Sequence, residues 1–146
     1  MSLVNLSTLK ECYAHTAGRV TYLLGAKPAL GSDSASFDTA DCSGWVRWAL
    51  DRAGLRLPDG SQTQWSYCRD VLKLRQIDPY SNVDYAAADP SRLFIAFESA
   101  ARTGIGHVWL INAGRTLECS SHRGVNSQPW QNREAIAIAC YEIPCG

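Results

Sequence analysis

Residues 41–54 read DCSGWVRWALDRAG, and this stretch decides how the first half of the chain is built. Trp45, Val46, Trp48, Ala49 and Leu50 recur at the spacing of a wide apolar stripe on a helix, which Asp41 begins and Gly54 ends. Cys42 then falls in the first turn. Upstream, Leu9, Tyr13, Thr16, Ala17, Val20, Leu23 and Leu24 keep helical spacing, with Asn5 or Ser7 as a cap and Gly25 as a stop. Between the two, residues 27–40 are rich in Gly, Ser, Asp and Ala and read as a loop. Downstream, Pro58, Asp59 and Gly60 make a turn, after which Ser61 can cap a third helix through Trp65 and Cys68 to about Leu72.

The period then changes. Leu93 to Phe97, His107 to Ile111, Arg115 to Cys119 and Ala135 to Tyr141 are short apolar or alternating runs separated by Gly, Asn and Pro, the pattern of strands. Helices followed by strands predict an α+β fold, with N-terminal helices packed on one face of a C-terminal antiparallel sheet.

At 146 residues the chain is expected to form one domain, and 46% hydrophobic with 19% charged residues is an ordinary globular composition. Net charge is +0 with both signs mixed along the chain, which argues against nucleic acid as a partner. No apolar run approaches the roughly 20 residues of a membrane span, so membrane insertion is not expected, and the given chain carries no signal-peptide pattern. Met1, Ser2 and Leu3 read as a candidate expression scar. Six cysteines include no C-x-x-C pair, so no structural metal is expected; Cys119 and His122 stand three apart without further ligands nearby. Cys140 and Cys145 are left as a disulfide pair that an oxidising compartment could form.

A cysteine in the first turn of a helix meets unpaired backbone N–H groups and the positive end of the helix dipole, which favour thiolate over thiol. The same N–H groups can hold the oxyanion of a tetrahedral intermediate. Cys42 is therefore the candidate nucleophile. Of three histidines, His107 alone opens a strand, behind Gly104 and Gly106, and an imidazole there can take a thiol proton near neutrality. Glu118 is the candidate to orient it: an even-length turn between the strands places 118 opposite 107 on one face, and a three-residue turn at 112–114 turns it away. Asn112, Ser120 and His122 stay open for that role. The five tryptophans read as core, with Trp130 the best candidate for exposure.

Asp41, Cys42, Ser43 and Gly44, followed by Trp45 and Val46, resemble the nucleophile motif of the NlpC-type cell-wall peptidases, cysteine enzymes with a reduced papain-like fold. Tyr22 and Gly25 resemble the family's upstream Y-x-x-G. Leu57, Pro58, Ser61 and Gln64 resemble its L-P-x-x-S-x-x-Q, Gly106 to Val108 its G-H-V, and Gly124 with Val125 a later G-V. Two departures stand out. Pro90 is followed by Ser91, Arg92 and Leu93 where the family has P-G-D-L, and Glu118 stands where the family commonly has histidine, one residue closer to His107.

The resemblance implies hydrolysis within the peptidoglycan stem peptide, next to D-glutamate and a diamino acid, through an acyl-enzyme without a cofactor. It makes Cys42 the nucleophile and His107 the base, and places Tyr22, Asp41 and Ser43 where the family contacts substrate or steadies the site. It also implies action in the cell envelope or outside the cell, with delivery as a phage product, a secreted effector or an excised domain all compatible. Two alternatives stay open: a papain-like amidase or acyltransferase on another acyl substrate, and a non-catalytic binding module of the same fold. No protein partner or immunity inhibitor is legible.

Overall fold

A computed structural model describes residues 3–77 and 83–146; of the candidate scar, Met1 and Ser2 lie outside the described residues. Helix α1 spans Leu6–Thr16, capped by Asn5, whose side chain accepts from Thr8 N at 3.0 Å. The sequence predicts a longer helix, but the chain turns at Gly18 (φ 72), and Leu23 and Leu24, which kept the helical period, are exposed. Instead Thr21–Tyr22 forms a short strand β1 parallel to β2 (Thr39–Ala40). Helix α2 is Cys42–Ala53, closed by Gly54 in the left-handed region. Helix α3, Ser61–Ser66, runs on as a π turn over Tyr67–Val71; its cap is Gly60 rather than Ser61, which is already helical.

The remaining strands are β3 (Arg75–Gln76), β4 (Leu93–Glu98), β5 (His107–Asn112), β6 (Arg115–Ser120), β7 (Gly124–Asn126) and β8 (Ala139–Ile143), with short helices α4 (Val83–Ala88) and α5 (Ala100–Thr103) before and after β4. They form one antiparallel sheet in the order β3-β8-β4-β5-β6-β7. The expected α+β architecture is therefore present, and its last strand lies further along than its apolar run indicated. Residues 130–136 form a 3-10 turn, because Trp130 turns inward and is only 3% exposed. The expectation of an exposed Trp130 is thus overturned by burial.

Successive side chains point to alternate faces of the sheet, and both faces are buried. Leu93, Ile95, Phe97, Val108, Leu110, Ala139, Tyr141 and Ile143 face the core shared with α1, α2 and α3. Phe94, Ala96, Trp109, Ile111 and Cys140 face the other side. That second face is covered too, by Ala86 and Ala87 of α4 and by Trp130 and Ala137, so the central strands are apolar at nearly every position. Cys140 belongs to this second core and Cys145 packs against the first, bonding to Ser91 O at 3.2 Å; all six thiols are free. The open Cys140–Cys145 pairing is excluded because the sheet separates the two.

Strands β5 and β6 are joined by two residues, Ala113 and Gly114, with φ of 54° and 76°. Positive φ at both central positions is the mark of a type I′ turn, whose twist matches the flanking strands.

Candidate active site

The first turn of α2 is tied down from two sides. The Asp41 carboxylate accepts from Gly44 N at 2.8 Å and from Gly25 N at 3.0 Å, and pairs with Lys27 Nζ at 2.7 Å. Asp41 N in turn donates to Ala26 O at 2.9 Å. Lys27 also donates to Ser43 Oγ at 2.7 Å. Residues 25–27 thus lie across the first turn, and Gly44 is required there: a Cβ would come within 2.8 Å of both Ala26 O and Asp41 Oδ1. From the other side, Gln64 Nε2 donates to Ser43 O and to Pro58 O, both at 3.0 Å, which fixes α3 to the same turn. Asp41 and Ser43, expected near the substrate, are buried and bonded internally, so their geometry is that of supports for the turn.

Cys42 leads this helix, 5% exposed, and its side chain lies close enough to His107 to help raise the imidazole pKa. His107 Nε2 lies 2.8 Å from Glu118 Oε1, which leaves Nδ1 for the sulfur. The turn between β5 and β6 is even, as Glu118 needs to share a face with His107. The register Leu110↔Leu117 nevertheless continues to place 118 across from Trp109 rather than directly opposite 107, so the contact runs diagonally along that face. The ring of His107 stacks on Trp109, centroids 5.3 Å apart.

Glu118 is fully buried, and its charge is matched on several sides. Arg133 donates to Oε1 through Nη2 at 2.8 Å and Nε at 3.1 Å, and Gln128 Nε2 lies 3.3 Å from Oε2. Burial would raise the Glu118 carboxyl, but the His107 hydrogen bond and charge, a bond from Thr116 and the Arg133 guanidinium outweigh it and hold the pKa at about 2. Burial likewise pulls His107 down, while its hydrogen bonds to Cys42 and Glu118 and the negative charge of both raise it to about 9. At neutral pH the imidazole is therefore an imidazolium held against the Glu118 carboxylate.

The other thiols behave as core cysteines. Burial pushes Cys68, Cys119 and Cys140 up to about 12 and raises Cys12 and Cys145 as well. Tyr22, which follows the β1 pairing that leads to Cys42, is raised to about 12 by partial burial and by the charges of Cys42, Asp41 and Cys119, so its hydroxyl keeps its proton as a donor.

A cleft of about 220 Å³ opens beside this line, walled by Tyr22, Glu98, Gly106, His107, Ser120 and Arg133 among others. Gly106 (φ 80) is tightly enclosed, since a Cβ would come within 2.8 Å of Gln62 Nε2 and 3.0 Å of Glu98 O. Of the other candidates for the third role, Asn112 Nδ2 donates to Pro90 O and Arg92 O and His122 is exposed, while Ser120 lines the cleft and accepts from Asn126. Among the described residues no cluster of three or more His, Cys, Asp or Glu is arranged to hold a metal ion.

Arg133, Lys27 and Glu98 were not legible as site residues. Lys27 sat in a stretch read as a plain loop, and Arg133 sits just before a run read as strand. Neither has a spacing that ties it to Cys42 or Glu118.

No family model and no curated protein sequence matches the chain. Solved structures match in shape. A Staphylococcus aureus protein described as similar to a lipoprotein of the NLP/P60 family superposes with a TM-score of 0.61 at 18% identity, over 97% of this chain and 42% of its own. The peptidoglycan hydrolase RipB of Mycobacterium tuberculosis gives 0.62 at 24% identity, over 95% and 64%. RipD of the same organism, described as a non-catalytic NlpC/p60 domain protein adapted to peptidoglycan binding, gives 0.55 at 18%, over 85% and 86%. The chain has the NlpC/P60 papain-like fold, and spans less than two thirds of the length of the first two proteins.

Proposed function

We propose that the chain is a cysteine peptidase or amidase acting on the stem peptide of peptidoglycan, in the cell envelope or outside the cell. The observation that carries this reading is the line Cys42, His107, Glu118, with a helix N-terminus behind the sulfur and a cleft in front of the imidazole. In the mechanism, Cys42 Sγ as thiolate attacks the scissile carbonyl, and the carbonyl oxygen takes up the electron pair beside the first-turn N–H groups of α2. Collapse of the intermediate breaks the C–N bond while His107 gives its proton to the leaving amine. Water then attacks the thioester, His107 takes the water proton, and the acid leaves with the thiolate restored. Glu118 stays a carboxylate throughout and steadies each imidazolium.

The fold neighbours described as a peptidoglycan hydrolase and as an NLP/P60 protein support the substrate class. Incubation with purified sacculi, followed by mass spectrometry of the released muropeptides, tests it. Soluble fragments from the wild type and none from Cys42→Ala are expected. A second reading, a binding module, has support in the 5% exposure of Cys42 and in the fold shared with RipD. Sacculus binding by the wild type without any released fragment would establish that reading instead.

A further inference from the structure

Glu118 Oε1 receives donors from two cations at once: His107 Nε2 at 2.8 Å, and Arg133 Nη2 and Nε at 2.8 and 3.1 Å. A buried carboxylate needs its charge and remaining lone pairs satisfied, and here a second cation beside His107 does so. The carboxylate has no exposure, so it is not screened by water, and its charge falls on whatever faces it.

From this geometry we infer that Arg133 is a positioning residue that tunes His107 through Glu118, by taking up part of the carboxylate charge that His107 would otherwise feel. The inference rests on the proposed acyl-transfer role of His107. In that role the imidazolium must give its proton to an amine and later recover one from water, so it cannot be held too tightly. Without Arg133, His107 would be the one cation paired with Glu118 among the described residues. Arg133, reaching in from the 3-10 turn at 130–136, supplies the opposing charge to the Glu118 carboxylate.

The groups that face His107 are Cys42 from α2, Glu118 from β6, Glu98 from β4, Tyr22 from β1 and Arg133. Among the described residues of this group, Arg133 is the one positively charged side chain besides His107 itself. It is held in one place by two donors, where a lysine would offer a single point of charge. Its removal therefore acts in one direction: the His107 pKa rises.

The test is titration of 13C-labelled histidine by NMR in wild type, Arg133→Gln and Arg133→Lys, alongside kcat and kcat/KM for muropeptide hydrolysis against pH. In Arg133→Gln the His107 pKa is expected to rise by at least about half a unit, within the range a nearby charge produces. The alkaline limb of kcat/KM should move up with it, and kcat should fall by up to about threefold as the imidazolium becomes a weaker acid. Arg133→Lys keeps the charge and should leave the His107 pKa within about 0.3 of wild type.

An unchanged or lowered His107 pKa in folded Arg133→Gln overturns the inference. If that variant does not fold, Arg133→Lys carries the test, and a rise there as large as half a unit overturns it equally. Because the titration is read without substrate, inactivity of the wild type on peptidoglycan would sink the proposed function while leaving the charge relation measured.

Discussion

Lys27 Nζ lies 2.7 Å from the carboxylate of Asp41, the residue that caps the helix led by Cys42. The Asp41 side chain is nearly buried and that of Lys27 about one third exposed, so the pair is only partly screened by water. Lys27→Met should leave a buried carboxylate with its backbone donors and the Ser43 hydroxyl but no cation, costing about 1–3 kcal/mol. Chemical denaturation measures the loss, and an unchanged midpoint would show that the pair does nothing for the turn.

Gly44→Ala tests the same turn from inside. The added Cβ would meet Ala26 O and Asp41 Oδ1 at 2.8 Å, and one of the two neighbours is backbone with little room to give. Overpacking of this kind costs about 1–3 kcal/mol, and here it also displaces the start of the helix that carries the sulfur. Lower melting temperature and lower kcat together are expected. Wild-type values of both would mean that residues 25–27 can retreat freely.

Glu118→Gln keeps the shape of the side chain and removes its charge. A charge-assisted hydrogen bond is worth about 1.5–3 kcal/mol, so hydrolysis should slow by roughly 10- to 100-fold, less than for Cys42→Ala. The alkaline limb should also move to lower pH, since His107 loses one of the anions that hold its proton. Turnover within about twofold of wild type would remove Glu118 from the catalytic line.

The pH dependence of folding has a defined window. His107 is raised from 6.5 to about 9, so its contribution is complete below 6.5 and fades as pH climbs toward 9. Glu118 is lowered from 4.5 to about 2, so its contribution is complete above 4.5 and fades as pH falls toward 2. Stability should be greatest between about 4.5 and 6.5, and kcat/KM should decline on the alkaline side near 9. A stability maximum above pH 8 would contradict the charged pair.

What the sequence made legible is what short-range chemistry writes into it. Asp41 and Gly54 bracket α2 as a cap and a left-handed stop, and both work locally. His107 followed by an apolar alternation located β5 to within a residue. The apolar run of Leu23 and Leu24 misled because helical spacing says nothing of whether a neighbour exists to bury it. The same limit hid Arg133: its meaning comes from a carboxylate 15 residues away, brought near by a turn whose driving force is the burial of Trp130. The diagonal contact of Glu118 with His107 also depended on register, which the two residues Ala113 and Gly114 decide and parity alone does not.

The link between Val125 and Val20 covers the outer edge of β7. β7 is the outer strand of the sheet, yet Val125 N donates inward to Val20 O at 3.0 Å and Val125 O accepts from Gly18 N at 3.2 Å. Gly124 makes the approach possible, since any Cβ there would strike Val20 and Thr21. At the opposite margin β3 is two residues long and presents exposed Arg75 and Gln76. An unpaired margin is where one chain templates another into a shared sheet or a fibril. With one margin already saturated by its own chain and the other short and polar, concentrated solutions should stay free of strand-to-strand assembly, and a Gly124 substitution that pushes residues 18–21 away should be the change that first lets aggregates grow.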